Sequence, residues 1–188
     1  MNIFYLSHDV AECAKWHVDK HVVKMILESC QLLSTARRLI DGVSRVERKL
    51  VADSNPEKYR NVKRWVLDGY PAIDNVIYQA THVNHPSAVW ARQSVENYIW
   101  LSDLTMALID EYKYRYGKDH KCETVARHLA HLPVNNFPQT GFTQTTPAMP
   151  DEYKVAGDSI ASYRNYYCGA KARMASWKNR DMPHWFTK

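Results

Sequence analysis

From Val10 to Ile40 apolar residues recur at the period of a helix. At about 100° per residue, Val18, Val22, Met25, Ser29, Leu32, Leu33 and Ala36 fall on one face, which predicts a single long amphipathic helix with that face buried. Beside it runs a narrower polar stripe of His17, His21, Lys24, Glu28 and Gln31. Spacings of four, three, four and three residues hold the stripe within an arc of roughly 80°. Two imidazoles, an amine, a carboxylate and an amide thus project together along the edge of the buried face. The pattern alone fits a polar seam against a neighbouring helix as well as it fits a site.

Ahead of this helix, NIFYL (2–6) is a short apolar tail expected to pack into the core, and Ser7 or Asp9 can cap the helix start. Gly42 is its expected stop. Residues 43–56, with VERKL and the pair Asn55-Pro56, read as a loop with a helical turn, and EKYRNVKRWVLDG (57–69) as a short basic helix ending at Gly69. A short helix follows Tyr70-Pro71, and then comes the connection THVNHP (81–86). Pro86 suits the first position of a second long helix that closes at Gly117. Trp90, Val95, Tyr98, Leu101, Leu104, Leu108 and Tyr112 lie at helical spacing on its inner side. ETVARHLAHL (123–132) is a short helix stopped by Pro133. Four prolines and a TQTT run make 133–150 a long irregular loop, and a last helix is expected from about Pro150 to Trp177. No segment alternates as a half-buried strand does. The fold class expected is all-α: a single compact domain over 1–188, built on two or three long helices with the N-terminal tail packed into the core.

Composition narrows the function. Hydrophobic residues make up 45% of the chain, which excludes a disordered class. Twenty-five Lys and Arg stand against 20 Asp and Glu, a net charge of +5 that suits a phosphate-rich partner without demonstrating one. Six Trp and twelve Tyr can fill a core or stack on bases. The cysteines, Cys13, Cys30, Cys122 and Cys168, form no CxxC pair, as in a reduced cytosolic protein. The first ten residues lack the pattern of a signal peptide, and no apolar run approaches about 18 residues, so neither secretion nor a membrane span is expected.

Taken in order, these segments resemble the small phage pyrimidine-dimer DNA glycosylase and abasic-site lyase family, of the endonuclease V type. DKHVVKMILE is similar to the family segment in which a His precedes the catalytic Glu by seven residues, which places His21 and Glu28 at those positions. MNIFYL is similar to the family's apolar opening, whose terminal amine is the nucleophile. NHPSAVWARQSVENYIWL, EYKYRYG and ETVARHLAHLP match the middle of the family in kind, and SYRNYYCGAK resembles its aromatic-basic C-terminal cluster. The resemblance implies a glycosylase that excises a damaged or modified pyrimidine from double-stranded DNA, as a monomer, in the cytoplasm of an infected cell, with no cofactor. Met1 and Glu28 would be catalytic, and His21, Lys24, His17 and His85 would support them. Three departures bear on the substrate: a longer tail, an insertion between Gly42 and His82, and Leu27 and Gln31 where the family carries arginines beside the Glu.

The chemistry suits those residues. An α-amino group titrates near 7.7–8.0, against about 10.4 for a lysine, so a chain terminus can act as a nucleophile near neutral pH. Asn2 is too bulky for ordinary methionine removal, so Met1 supplies the amine. Attack at C1′ expels the base and leaves an iminium, which Glu28 can stabilise while moving the C2′ proton for β-elimination. A simple pairing of Glu28 with Lys24 is the plainer role. Tyr163, Arg164, Tyr166, Tyr167, Lys171 and Arg173 are the expected DNA-binding set, in a groove between the first and last long helices walled by 133–150. Core packing for the tyrosines and solvation for the cations are the bland alternatives. Two rivals stand beside this reading. One is a metal-dependent hydrolase with a site made by His17, His21, His82 and His85; the other is a nucleic-acid-binding module without catalysis.

Overall fold

The computed structural model describes residues 1–51 and 58–187. The helix expected from Val10 to Ile40 is two helices, α1 (Val10–Trp16) and α2 (Asp19–Asp41). Asp9 caps α1 by accepting the Glu12 N–H at 2.7 Å. His17 and Val18 then go extended, with ψ of 133° and 153°. Arg115, from far along the chain, accounts for the break. Its guanidinium donates to the carbonyls of Lys15 and His17 at 2.8 and 2.9 Å, groups that an unbroken helix would pair internally, and to Asp19 at 2.9 Å. Apolar burial continues on both sides of the break, so the helical period passes over it.

The all-α expectation is corrected at 43–66. β1 (Val43–Leu50) and β2 (Tyr59–Val66) pair antiparallel, from Val43 opposite Val66 to Leu50 opposite Tyr59, and make the fold a helix-rich α/β mixture. The expected loop and basic helix are therefore a β-ribbon. β1 is exposed throughout, and β2 is half exposed and half partly buried, with no residue fully buried. A ribbon with no buried face has no apolar alternation to display, which is why the pattern hid it. The turn expected at Asn55-Pro56 lies outside the described residues.

After α3 (Pro71–Asp74), α4 (Pro86–Gln93) has Pro86 in its first turn. Ser94, at φ −148° and ψ 159°, separates α4 from α5 (Val95–Tyr116), so the second long helix is also two, and the Ser94 hydroxyl caps the new start at Asn97. Gly117 ends α5 at φ 65°, the left-handed conformation that glycine adopts without strain. α6 (Glu123–His131) follows. The last helix is much shorter than expected: α7 spans Ser159–Cys168, between single 3-10 turns at Asp151–Tyr153 and Ala172–Met174. A Cβ at Gly169 would run into the Tyr153 ring, so the chain leaves the helix at the residue that permits this approach.

α2 and α5 pack against each other, with α1, α4 and α6 around them. The tail residues Ile3, Phe4, Tyr5 and Leu6 are buried among them, with Trp90, Tyr98, Tyr163 and Tyr167. Two buried arginines on α2 hold what lies outside this core. Arg37 bonds Tyr98, Asp41 and the Leu132 carbonyl. Arg38 bonds the carbonyls of Trp65, Asp74, Ile77 and Tyr78 and the Asp74 carboxylate.

Candidate active site

The tail runs into the core and cannot swing. The Asn2 side chain donates to the Ala148 carbonyl at 2.9 Å, and its Oδ1 accepts from the Tyr163 hydroxyl at 2.6 Å. Tyr163, on α7, also donates to the Thr146 carbonyl. The Pro-rich loop and α7 thus clamp the second residue of the chain. Phe4 stacks on the His21 ring at 4.1 Å, and the Leu6 carbonyl accepts both Nε and Nη2 of Arg164.

With the tail so held, the Asn2 backbone N–H donates to Glu28 Oε2 at 3.0 Å. The other Glu28 oxygen takes the Lys24 ammonium at 3.1 Å. Glu28 is largely buried and Lys24 is exposed, so the carboxylate faces the terminus from inside while its counter-ion lies in solvent. The Met1 amine is one residue upstream of the bonded N–H. His85 completes the group at the start of α4, where its Nδ1 accepts the Ser87 N–H, which in the neutral ring leaves the proton on Nε2. Burial holds the His85 pKa below the usual imidazole value. The charges of the terminal amine and of His82 add to this, and Glu28 opposes it. A primary amine, a carboxylate and a neutral imidazole are therefore gathered between the middle of α2 and the start of α4. Such a set can attack an electrophilic carbon, stabilise the cation that results and move a proton.

His17 and His21 lie inward of this site. His17 donates from Nδ1 to the Cys13 carbonyl at 2.7 Å, and its Nε2 is buried without a partner. His21 Nδ1 meets the Tyr167 hydroxyl at 2.7 Å. Burial first, then neighbouring cations, pushes His17 down to about 4 and His21 down to about 3. Both rings are folded in neutral. The unfolded chain takes up protons on these rings near pH 6.5, while the folded chain does not until pH 3–4. Their contribution to stability is therefore complete above about pH 6.5 and is lost as pH falls through that window, by up to about 1.4 kcal/mol per unit for each ring. Urea midpoints should accordingly drop between pH 7 and pH 5, and His21→Gln should roughly halve the drop. A midpoint independent of pH would show these rings to be solvated.

Among the described residues, no three His, Cys, Asp or Glu side chains converge as a metal ion requires. The four-histidine set of the hydrolase rival is thus not assembled: His17 and His21 are bonded inward, and His82 and His85 lie on the connection into α4.

The expected DNA-binding set divides. Tyr163 and Tyr167 are fully buried and occupied by Asn2 and His21, so they serve the clamp and the core and do not face a ligand. Arg164 is likewise committed, gripping Leu6 between the rings of Trp16 and Trp185 at 4.9 and 5.3 Å. Half-buried Tyr166 lies against Tyr153 with Lys171 over its ring, and Arg173 is exposed. Lys171 and Arg173 therefore keep their charge near the surface. Sequence reasoning missed Asn2, which differs from any polar residue near a terminus only through its partners some 146 and 161 positions away. It also missed a cleft of about 700 Å³ lined by Lys24 together with Val23, Leu27, Tyr112, His120 and Cys122 among others. Leu27, which stands where the resemblance leads one to expect an arginine, forms part of that apolar lining.

No protein-family model, curated protein or solved structure matches the chain. No described helix is long and apolar enough to cross a membrane.

Proposed function

We propose that the protein is a DNA glycosylase with abasic-site lyase activity, which removes a damaged or modified pyrimidine from double-stranded DNA through a Schiff base on the Met1 amine. The observation that carries this reading is the 3.0 Å bond from the Asn2 N–H to Glu28, which fixes the chain terminus against a largely buried carboxylate. In the reaction the amine attacks C1′, and the base departs with its bonding pair and takes up a proton. Ring opening gives the iminium, whose positive charge Glu28 faces. Glu28 then takes the C2′ proton, and the electrons released expel the 3′ phosphate in β-elimination. His85, neutral and carrying its proton on Nε2, supplies a hydrogen-bond donor beside the opening sugar. We further propose that the protein acts as a monomer in the cytoplasm of its host cell.

The test is borohydride trapping on duplexes carrying an abasic site or modified pyrimidines. A covalent adduct is expected, and peptide mass mapping should find it on Met1. Acetylating or extending the N-terminus should abolish it. A chelator should leave trapping unchanged, because the amine supplies the nucleophile; loss of activity on chelation would favour the hydrolase rival. If no adduct forms on an abasic duplex, the reading fails.

A further inference from the structure

The β1–β2 ribbon carries an arrangement that the rest of the fold does not explain. Arg45 stands directly opposite Arg64, and Lys49 directly opposite Arg60. Opposed residues of an antiparallel pair share a face, so four cations line one side of the ribbon, and like charges placed in this way oppose the pairing. Only the first pair is relieved, by Arg45–Asp68 at 2.7 Å and Arg64–Glu47 at 3.6 Å. Lys49 and Arg60 make no ion pair among the described residues. On the other face, Arg48 lies over Tyr59 and Lys63 over Trp65, at 4.6 and 5.0 Å. The two strands hold six cations and one carboxylate, Glu47.

The ribbon's base is anchored. Buried Arg38 bonds the Trp65 carbonyl and the Asp74 carboxylate, which in turn accepts the Leu67 N–H at 2.9 Å. The fold thus fixes the root of an exposed arm whose outer cations repel one another. Phosphates lying along it would convert that repulsion into attraction. Eight residues at about 3.4 Å each give strands of roughly 27 Å. A two-stranded ribbon fits the DNA major groove, about 12 Å wide, with a phosphate backbone on either side. Cations on both faces match two phosphate walls, whereas a flat anionic membrane would meet one face.

We propose that the β1–β2 ribbon is a second, phosphate-contacting arm that lies in a groove of duplex DNA, separate from the Met1–Glu28 site. This rests on the reading that duplex DNA is the substrate. The test uses the full chain with Lys49→Gln and Arg60→Gln together, two positions that make no ion pair among the described residues. Affinity for an undamaged 30-base-pair duplex is measured across salt concentrations. The double variant should bind about tenfold or more weakly at low salt, and its log–log salt slope should fall by about two units, one per lost phosphate contact. Its thermal midpoint should be unchanged or higher, since one opposed pair is removed. Glu47→Gln, which deletes the ribbon's carboxylate, should tighten binding. Wild-type affinity and slope in the double variant would overturn the proposal. So would a wild-type protein that binds phosphatidylserine vesicles and no duplex. A wild type that binds duplex but traps no abasic site leaves the arm standing and removes the lyase reading, so the two failures are distinguishable.

Discussion

Glu28→Gln is expected to reduce borohydride trapping by roughly a hundredfold or more, within the range of general acid–base and charge-stabilising contributions, while duplex affinity changes little. The glutamine keeps the shape of the side chain, and its carbonyl can still accept the Asn2 N–H that now reaches Oε2 at 3.0 Å. The terminus therefore stays in place. What is lost is the charge facing the iminium and the base that takes the C2′ proton. The pair with Lys24 is lost too, but that ammonium is exposed, and solvent-facing pairs contribute about 0–1 kcal/mol. The thermal midpoint should accordingly move by only a few degrees. Single-turnover trapping on an abasic duplex, beside a binding titration, separates the two effects. Wild-type trapping in this variant would place the chemistry elsewhere.

Segments with a buried face were legible in the sequence, because burial imposes the periods that pattern reading detects. The apolar tail, the inner side of α5, Pro86 in the first turn of α4 and Gly117 at the end of α5 all rest on local chemistry. The break at His17 was not legible, because Arg115 makes it from 98 residues away. The ribbon was not legible either: its stability comes from cross-strand pairing and from cations over rings, and neither leaves an apolar alternation. In the candidate site, the nearness of the tail to Glu28 was an expectation drawn from resemblance, and the stripe of His21, Lys24 and Glu28 followed from helical spacing. Which way each group faces did not follow. His21 and Lys24 share the stripe, yet one is buried against Tyr167 and the other lies in solvent. The cluster SYRNYYCGAK offers the same lesson, since Tyr163 and Arg164 are adjacent and both are turned to the N-terminal tail by partners more than 150 residues away.

Arg115→Met is expected to cost about 3–5 kcal/mol of stability, as removal of one partner from a buried ion pair does. The guanidinium is completely buried, and three of its four bonds run to groups that define the α1–α2 break, the carbonyls of Lys15 and His17 and the carboxylate of Asp19, while the fourth goes to Glu111 on its own helix at 2.6 Å. Methionine fills much of the volume and satisfies none of them. Two buffers keep the loss from being larger. Glu111 retains Arg180 at 2.8 Å, and Asp19 retains the Lys178 N–H at 2.9 Å. The two carbonyls have no such reserve, and each orphaned polar group costs about 1–3 kcal/mol. At about 2–4 °C per kcal/mol for a chain of this size, the midpoint should fall by roughly 6–20 °C. Arg180→Ala is the control. It removes a partner of the same Glu111 from the surface side, leaves Arg115 in place, and should cost about 1 kcal/mol or less. Because α1 follows directly on the tail that carries Met1, loosening the break should also slow trapping at temperatures where the variant is still folded, which Arg180→Ala should not do. An Arg115→Met protein that melts within a few degrees of wild type would mean that the break is set by the backbone of His17 and Val18 alone, and that the guanidinium fills a space it does not organise.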